Sequence, residues 1–194
     1  GSIIWTFYSD SLTSTMHTFV SNAYIFNKVY FPRLIVPLSY ILFHSFRISI
    51  QLLLFIAVYL IFAIGGRSIH PNTSMILIPV FIFITAAFSL GCGLIISVYT
   101  AKYRDLENVM QFMLRLFMFA APVVYPASII PEKYKLIFWL NPLTPVIESF
   151  RSAFFSHRPL PFFYLGISFG VSLFVLVLGI LLFNRKEKQI MDVI

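Results

Sequence analysis

The apolar positions of this chain come in long blocks closed by charge, proline and glycine, a pattern that predicts helices. The runs Ile41–Ile64, Met75–Thr100 and Phe162–Phe183 each reach the length of about 20 residues that a helix needs to cross a bilayer. Leu106 to Ala121 is a shorter apolar helix behind a charged head, and it stops at Ala121-Pro122 and Tyr125-Pro126. Residues 1–27 interleave Ile3, Ile4, Trp5, Phe7, Tyr8 and Leu12 with Thr6, Ser9, Asp10, Ser11, Thr13 and His17. Such a helix either crosses with its polar stripe turned to the bundle interior or a water-lined path, or lies flat in the interface. We read it as a crossing. The expected fold class is therefore all-α: a polytopic membrane helix bundle with five spans, in one transmembrane domain over residues 1–194.

The breaks between the blocks carry the topology. Lys28 to Tyr40 reads KVYFPRLIVPLSY; Pro32 disfavours helix at Phe31, and Pro37 fits the first turn of the next helix. His44 and Arg47, three residues apart, share a face near the start of that helix, where Arg47 is expected to snorkel toward nearby headgroups. Gly65 to Asn72 is a turn cluster. Ala86, Ala87, Ser89, Gly91, Gly93 and Ser97 mark the second long run for close helix approach. Asp105 is expected to cap the helix from Leu106, with Glu107 in its first turn favouring the positive end of the dipole. Residues 126–161 are too broken by proline for a span and too apolar for a solvated loop, so short embedded helices beside a passage are expected there. The stretch Ala101–Pro161 is expected to be the element around which the other segments pack.

Composition sets the class. The chain is 59% hydrophobic and 11% charged, against roughly 45–50% and about 25% in soluble domains, and its mean hydropathy is +0.90. It is an integral membrane protein. Of the 18% aromatic residues, some belong to interface belts, and the surplus either lines a pathway or packs helices. The net charge of +7 sits at the ends of apolar runs, so it orients the chain in a membrane and implies no nucleic-acid partner. Collecting Lys28, Arg33, Lys102, Arg104, Arg185, Lys186 and Lys188 on one side leaves only Arg67 in the short opposite loop. The first side, with the C-terminus, is then cytoplasmic. Gly1 would start outside, and one more helix before it would give six crossings with both ends inside.

Enzyme signatures are missing: the sequence holds no HExxH, GxSxG, CxxC or Walker A motif. His17, His44, His70 and His157 are too scattered for a metal site, and the single Cys92 forms no internal disulfide. No catalytic residue, metal or resident cofactor is expected. Arg115 and Glu148 are ionisable residues at membrane depth, which makes them functional candidates by default.

Four pieces carry a family resemblance: Trp5-Thr6-Phe7; Lys28-Val29-Tyr30-Phe31-Pro32-Arg33 with Pro37; Tyr103-Arg104-Asp105 leading to Ala121-Pro122-Val123-Val124-Tyr125-Pro126; and Asn141-Pro142-Leu143-Thr144-Pro145 with Glu148 and Arg151. In order and spacing the chain resembles the transmembrane permease subunit of bacterial ABC exporters, in the branch that exports O-antigen, teichoic acid and capsule. It departs from that family in having Ala121 where Ser is frequent, and in lacking an amino-terminal interface helix and a first transmembrane helix, which would make it a fragment.

The resemblance implies a multi-pass inner-membrane protein, a second copy of itself, a partner ATPase subunit carrying ATP and magnesium, and a lipid-linked glycan as cargo amid membrane lipids. It also implies that Lys28, Tyr30, Phe31, Pro32 and Arg33 couple the permease to the ATPase. Lys102, Arg104 and Asp105 would form a second cytoplasmic loop, and the short helices of 126–161 would lie at the outer face. Arg115, Tyr125, Trp139, Glu148 and Arg151 are the candidate pathway residues. Arg115, about 15 Å along its helix from Asp105, either contacts the carrier's diphosphate or pairs with a carboxylate or backbone carbonyls. A permease for drugs or small hydrophobic compounds, a membrane-embedded glycosyl or acyl transferase, and a channel are the competing functions.

Overall fold

The computed structural model describes residues 1–26, 32–64, 73–103, 105–129, 131–155 and 160–191. All regular elements among them are helical. In chain order they are α1 (Ser2–Met16), α2 (Thr18–Phe26), α3 (Ile35–Ile64), α4 (Ile78–Thr100), α5 (Leu106–Ala120), α6 (Glu132–Leu140), α7 (Leu143–Phe155) and α8 (Phe162–Met191). Short 3-10 turns over Thr73–Leu77 and Ala127–Ile129 lead into α4 and follow α5. Three stretches are long and apolar enough to cross a membrane: Ile35–Phe62, Ser74–Thr100 and Phe162–Lys186. At about 1.5 Å of rise per residue, each exceeds a hydrocarbon core of about 30 Å.

The hub of the bundle is α4, which packs along α8 and α1 and also touches α2, α3, α5 and α7. This corrects the expectation that Ala101–Pro161 would be central. In α5 only Leu114 is buried, whereas α4 buries residues along its whole length. Small side chains explain the difference, because they let backbones close up. A Cβ on Gly91 would sit 2.6 Å from the Leu176 nitrogen, and one on Gly179 would sit 2.6 Å from the Gly91 oxygen. At these two glycines the α4 and α8 backbones therefore touch. On the neighbouring face, a Cβ on Gly93 would fall 2.6 Å from Cβ of Thr15 in α1.

The hydroxyls of α4 do not disturb this packing. Thr85 donates to the Phe81 carbonyl at 2.8 Å and Ser97 to that of Leu94 at 2.8 Å, within their own helix. Thr100 reaches across to the Met16 carbonyl at 2.9 Å, pinning the end of α4 to the end of α1. One apolar core lies among α1, α4 and α7, with Ile4, Leu12, Met16, Val146 and Ile147 fully or nearly fully buried. A smaller one at the other end holds Phe19, Ile41, Leu90, Leu94 and Phe183, with the Phe19 and Phe183 rings stacked 4.8 Å apart.

Three local expectations change. Asp105 starts α5 but makes no side-chain capping bond: its own backbone is already helical (φ −64°, ψ −21°), which aims the carboxylate away from the free N–H groups. Glu107 instead meets His17 at 3.3 Å. The last helix does not end at Phe183 but runs on to Met191, past the membrane-length stretch Phe162–Lys186, since Arg185, Lys186, Glu187 and Lys188 are charged yet good helix formers. Arg47 does not merely snorkel: its Nη1 lies 2.7 Å from Asp10 Oδ2 of α1.

Candidate functional site

Two cavities flank α5, and α1 forms a wall of both. The first is an apolar groove of about 620 Å³ between α1, α4, α5 and the α6–α7 corner. Trp5, Tyr8 and Leu12 line it from α1, Phe88, Cys92 and Ile96 from α4, and Met110, Leu114 and Phe117 from α5. These residues recur at three- and four-residue spacing, so each helix turns one apolar face inward. The Tyr8 ring stacks on Phe88 with centroids 5.6 Å apart, fixing α1 to α4 at the groove wall.

The second cavity, about 410 Å³, is polar along one side: Ser9 and Thr13 of α1 face Gln111 and Arg115 of α5, with Trp5 and Leu114 shared between the two cavities. Ser9, Thr13 and His17 are four residues apart, as are Glu107, Gln111 and Arg115, so each set forms a stripe on its helix. The helices run antiparallel here: His17 pairs with Glu107 at one end, and Ser9 and Arg115 share the cavity beyond it. The stripes thus form a polar track about two turns long beside an apolar groove. Arg115 is exposed and has no carboxylate within ion-pair distance among the described residues.

The other expected pathway residues are placed elsewhere. Glu148 and Arg151 of α7 are joined at 2.5 Å. Glu148 Oε1 accepts the Ala127 N–H at 2.8 Å. Arg151 donates to the carbonyls of Pro122 at 3.0 Å, Val123 at 3.2 Å and Tyr125 at 3.3 Å. Together they hold the turn between α5 and the 3-10 turn. The Tyr125 hydroxyl donates to the Phe119 carbonyl at 2.7 Å, closing the end of α5. The Trp139 ring of α6 packs at a tilt against Tyr164 of α8 with centroids 4.6 Å apart, while its neighbours Phe138 and Leu140 line the apolar groove.

In the loop before α3, the carbonyls of Pro32 and Arg33 accept the Ile35 and Val36 N–H groups at 3.0 and 3.3 Å and start that helix. Lys102 lies 5.2 Å from the centroid of the Tyr103 ring. Lys28, Tyr30, Phe31 and Arg104 lie outside the described residues. Among the described residues, no group of three His, Cys, Asp or Glu side chains could hold a metal ion. Sequence reasoning placed Ser9 and Thr13 in the polar stripe of the first helix without naming them as site residues, and it missed Gln111, although its spacing of four from Glu107 and Arg115 was legible.

A helical bundle with three membrane-length helices, an apolar groove and a polar track beside it has the form of a multi-pass membrane transport subunit. The comparisons give it a family. The chain belongs to the ABC-2 type transporter membrane family, whose sequence profile matches residues 1–155. It is 27% identical over 191 residues to an O-antigen export system permease protein RfbA of Klebsiella pneumoniae, covering 98% of this chain and 71% of that one. It is 28% identical over 162 residues to the RfbA permease of Myxococcus xanthus, covering 81% and 60%. A putative transport permease, ycf38 of Cyanophora paradoxa, is 27% identical over 207 residues, covering 98% and 70%. The chain is thus an ABC-2 permease related to O-antigen export permeases, and its work is transport.

Proposed function

We propose that this permease exports a lipid-linked polysaccharide of the O-antigen, teichoic acid or capsule type across a bacterial inner membrane. The observation that carries this reading is the apolar groove and the polar track sharing the wall Trp5–Leu114. A cargo with a long hydrocarbon tail and a charged, hydroxyl-rich head needs both surfaces side by side. The groove takes the tail. Arg115, with Ser9, Thr13 and Gln111, takes the head, and the guanidinium suits a phosphate or diphosphate through paired N–H donors. A partner ATP-binding cassette subunit, holding ATP and magnesium, supplies the force, and a second copy of this chain completes the passage. The chain forms one domain over residues 1–194 with five crossings (α1–α2, α3, α4, α5 and α8), its C-terminus is cytoplasmic, and residues 126–161 are embedded at the outer face.

The test is loss of the gene. Lipid-linked glycan is expected to accumulate inside the cell, and the wild-type gene should clear it. Complementation with Arg115→Gln should give normally assembled permease but export reduced by about tenfold or more, the effect of losing one charge-assisted contact of about 1.5–3 kcal/mol. Wild-type export by Arg115→Gln removes Arg115 from the head site, and no accumulation in the deletion strain overturns the cargo.

Force must reach a permease that carries no Walker A motif through a stiff cytoplasmic contact, and the loop Lys28–Tyr40 has the prolines and aromatics for it. Changing Tyr30, Phe31 and Pro32 together to Ala keeps Lys28 and Arg33, and hence the orientation signal. We expect export to fall and ATP turnover to lose its dependence on the permease. Normal export by the triple variant would discard the coupling role of this loop.

A further inference from the structure

Helix α1 walls both cavities, and on its far side it makes a second, polar contact with α3. Thr6, Asp10 and Ser14, four residues apart, form a stripe on α1 nearly opposite Tyr8 and Leu12, at about 100° per residue. That stripe meets His44, Arg47 and Gln51 of α3. Arg47 donates to Asp10 at 2.7 Å, and Ser14 and His44 Nε2 share a hydrogen bond of 2.9 Å. Beyond this seam α3 is apolar and outward-facing, with Phe43, Phe46, Leu53 and Leu54 exposed.

We propose that the Asp10–Arg47 pair, seconded by Ser14–His44, is a positioning latch that sets the placement of α1 against the transport cavities. Neither residue lines the groove or the polar track, so both act through Trp5, Tyr8, Ser9 and Thr13 on the other faces of the same helix. Arg47 lies midway along the membrane-length stretch Ile35–Phe62, with its side chain 60% and that of Asp10 34% exposed, so where lipid rather than water covers them each charge depends on its partner. The pair therefore resists rotation or lifting of α1 more than apolar packing, which is non-directional, does. This inference rests on the cavities being the transport path, and it does not depend on the cargo.

The experiment uses the full-length permease with its ATPase in membrane vesicles, with cargo export and ATP turnover read on equal amounts of assembled protein. ATP turnover reports on the latch even if the cargo is not a glycan, which separates failure of the latch from failure of the proposed cargo. Asp10→Asn and Arg47→Gln are each expected to lower transport-coupled ATP turnover by about tenfold. The exchange Asp10→Arg with Arg47→Asp restores the pair and is expected to recover most of it. The decisive variant replaces both residues with cysteine, Asp10→Cys with Arg47→Cys, and bridges them with a short bis-methanethiosulfonate, which joins each thiol through a reducible disulfide and releases two sulfinates. A covalent latch carries no charge. It should restore turnover relative to the unbridged protein, and reduction should abolish the recovery. Neutral variants with wild-type turnover, or a formed bridge that restores nothing, overturn the latch. Loss of assembled protein in the single variants leaves the exchange and the bridged pair to decide.

Discussion

Gly91→Leu should prevent α8 from docking on α4, and little folded permease should be recovered from membranes. The added Cβ alone meets the backbone of α8 at 2.6 Å from the Leu176 nitrogen and 2.7 Å from its Cα. Backbone cannot swing aside as a flexible side chain can, so the helices must separate. Separation breaks the contact of Gly91 with Gly179 and opens the apolar seam between two membrane-length helices. Overpacking of this kind costs about 1–3 kcal/mol for a modest intrusion and more where nothing yields. Gly91→Ala and Gly179→Ala should therefore lower the thermal midpoint in detergent, and Gly91→Leu should abolish the transition. Gly166 and Gly170 of the same α8 supply the control, since nothing stands within 4 Å of a Cβ at either. Alanine at those positions should be neutral or slightly stabilising, by about 0.5–1 kcal/mol of helix propensity. Equal effects at Gly91 and Gly166 would show that helix contact is not what the glycine serves.

Arg151→Ala should loosen the turn after α5. Its guanidinium holds three carbonyls and the Glu148 carboxylate, and Glu148 in turn holds the Ala127 N–H. Removing one partner of a buried pair costs about 3–5 kcal/mol. With the two side chains 22% and 18% exposed, the lower end of that range applies. Arg151→Lys keeps the charge but loses the planar fork, so it should recover only part of the stability. Glu148→Gln keeps an acceptor for Ala127 and should be milder than either. Thermal unfolding of the purified protein ranks the three, and proteolysis between Pro122 and Ile129 should rise in the same order. Unchanged stability in Arg151→Ala would show that the turn holds without its bracket.

The bracket also shows what a linear sequence conveys and what it withholds. Glu148 and Arg151 stand out as charges in an apolar region, and that conspicuousness suggested a pathway. Their distant partners are backbone groups more than 20 residues away, the Ala127 N–H for Glu148 and three carbonyls for Arg151, which no local pattern reveals. Arg47 is similar: its partner Asp10 is a distant residue of α1, so only its depth was legible. The long helices were readable because about 20 apolar residues admit few alternatives, and the short helices of 126–161 because proline punctuates them. The rank of α4 was harder to see. Prolines draw the eye to residues 101–161, whereas burial follows the inconspicuous Gly91, Gly93 and Ser97. Of the site, Arg115 was visible as a charge deep in an apolar run. The polar track was hidden, because it depends on two stripes of four-residue spacing meeting across the antiparallel pair α1 and α5.

The glycine contact between α4 and α8 also bears on how the protein is made. Gly91 leaves the ribosome long before Gly179, separated by a stretch that includes α5, α6 and α7. At synthesis rates of about 5–20 residues per second, the delay is roughly 4–18 s. During that interval α4 has entered the bilayer with α1 and α3 to lean on, while its glycine face meets only lipid. Helix α8 thus acts as a closing wedge. A nascent chain halted before α8 presents an uncovered furrow along its central helix, the kind of feature by which membrane quality control can tell a chain without α8 from one in which it has docked.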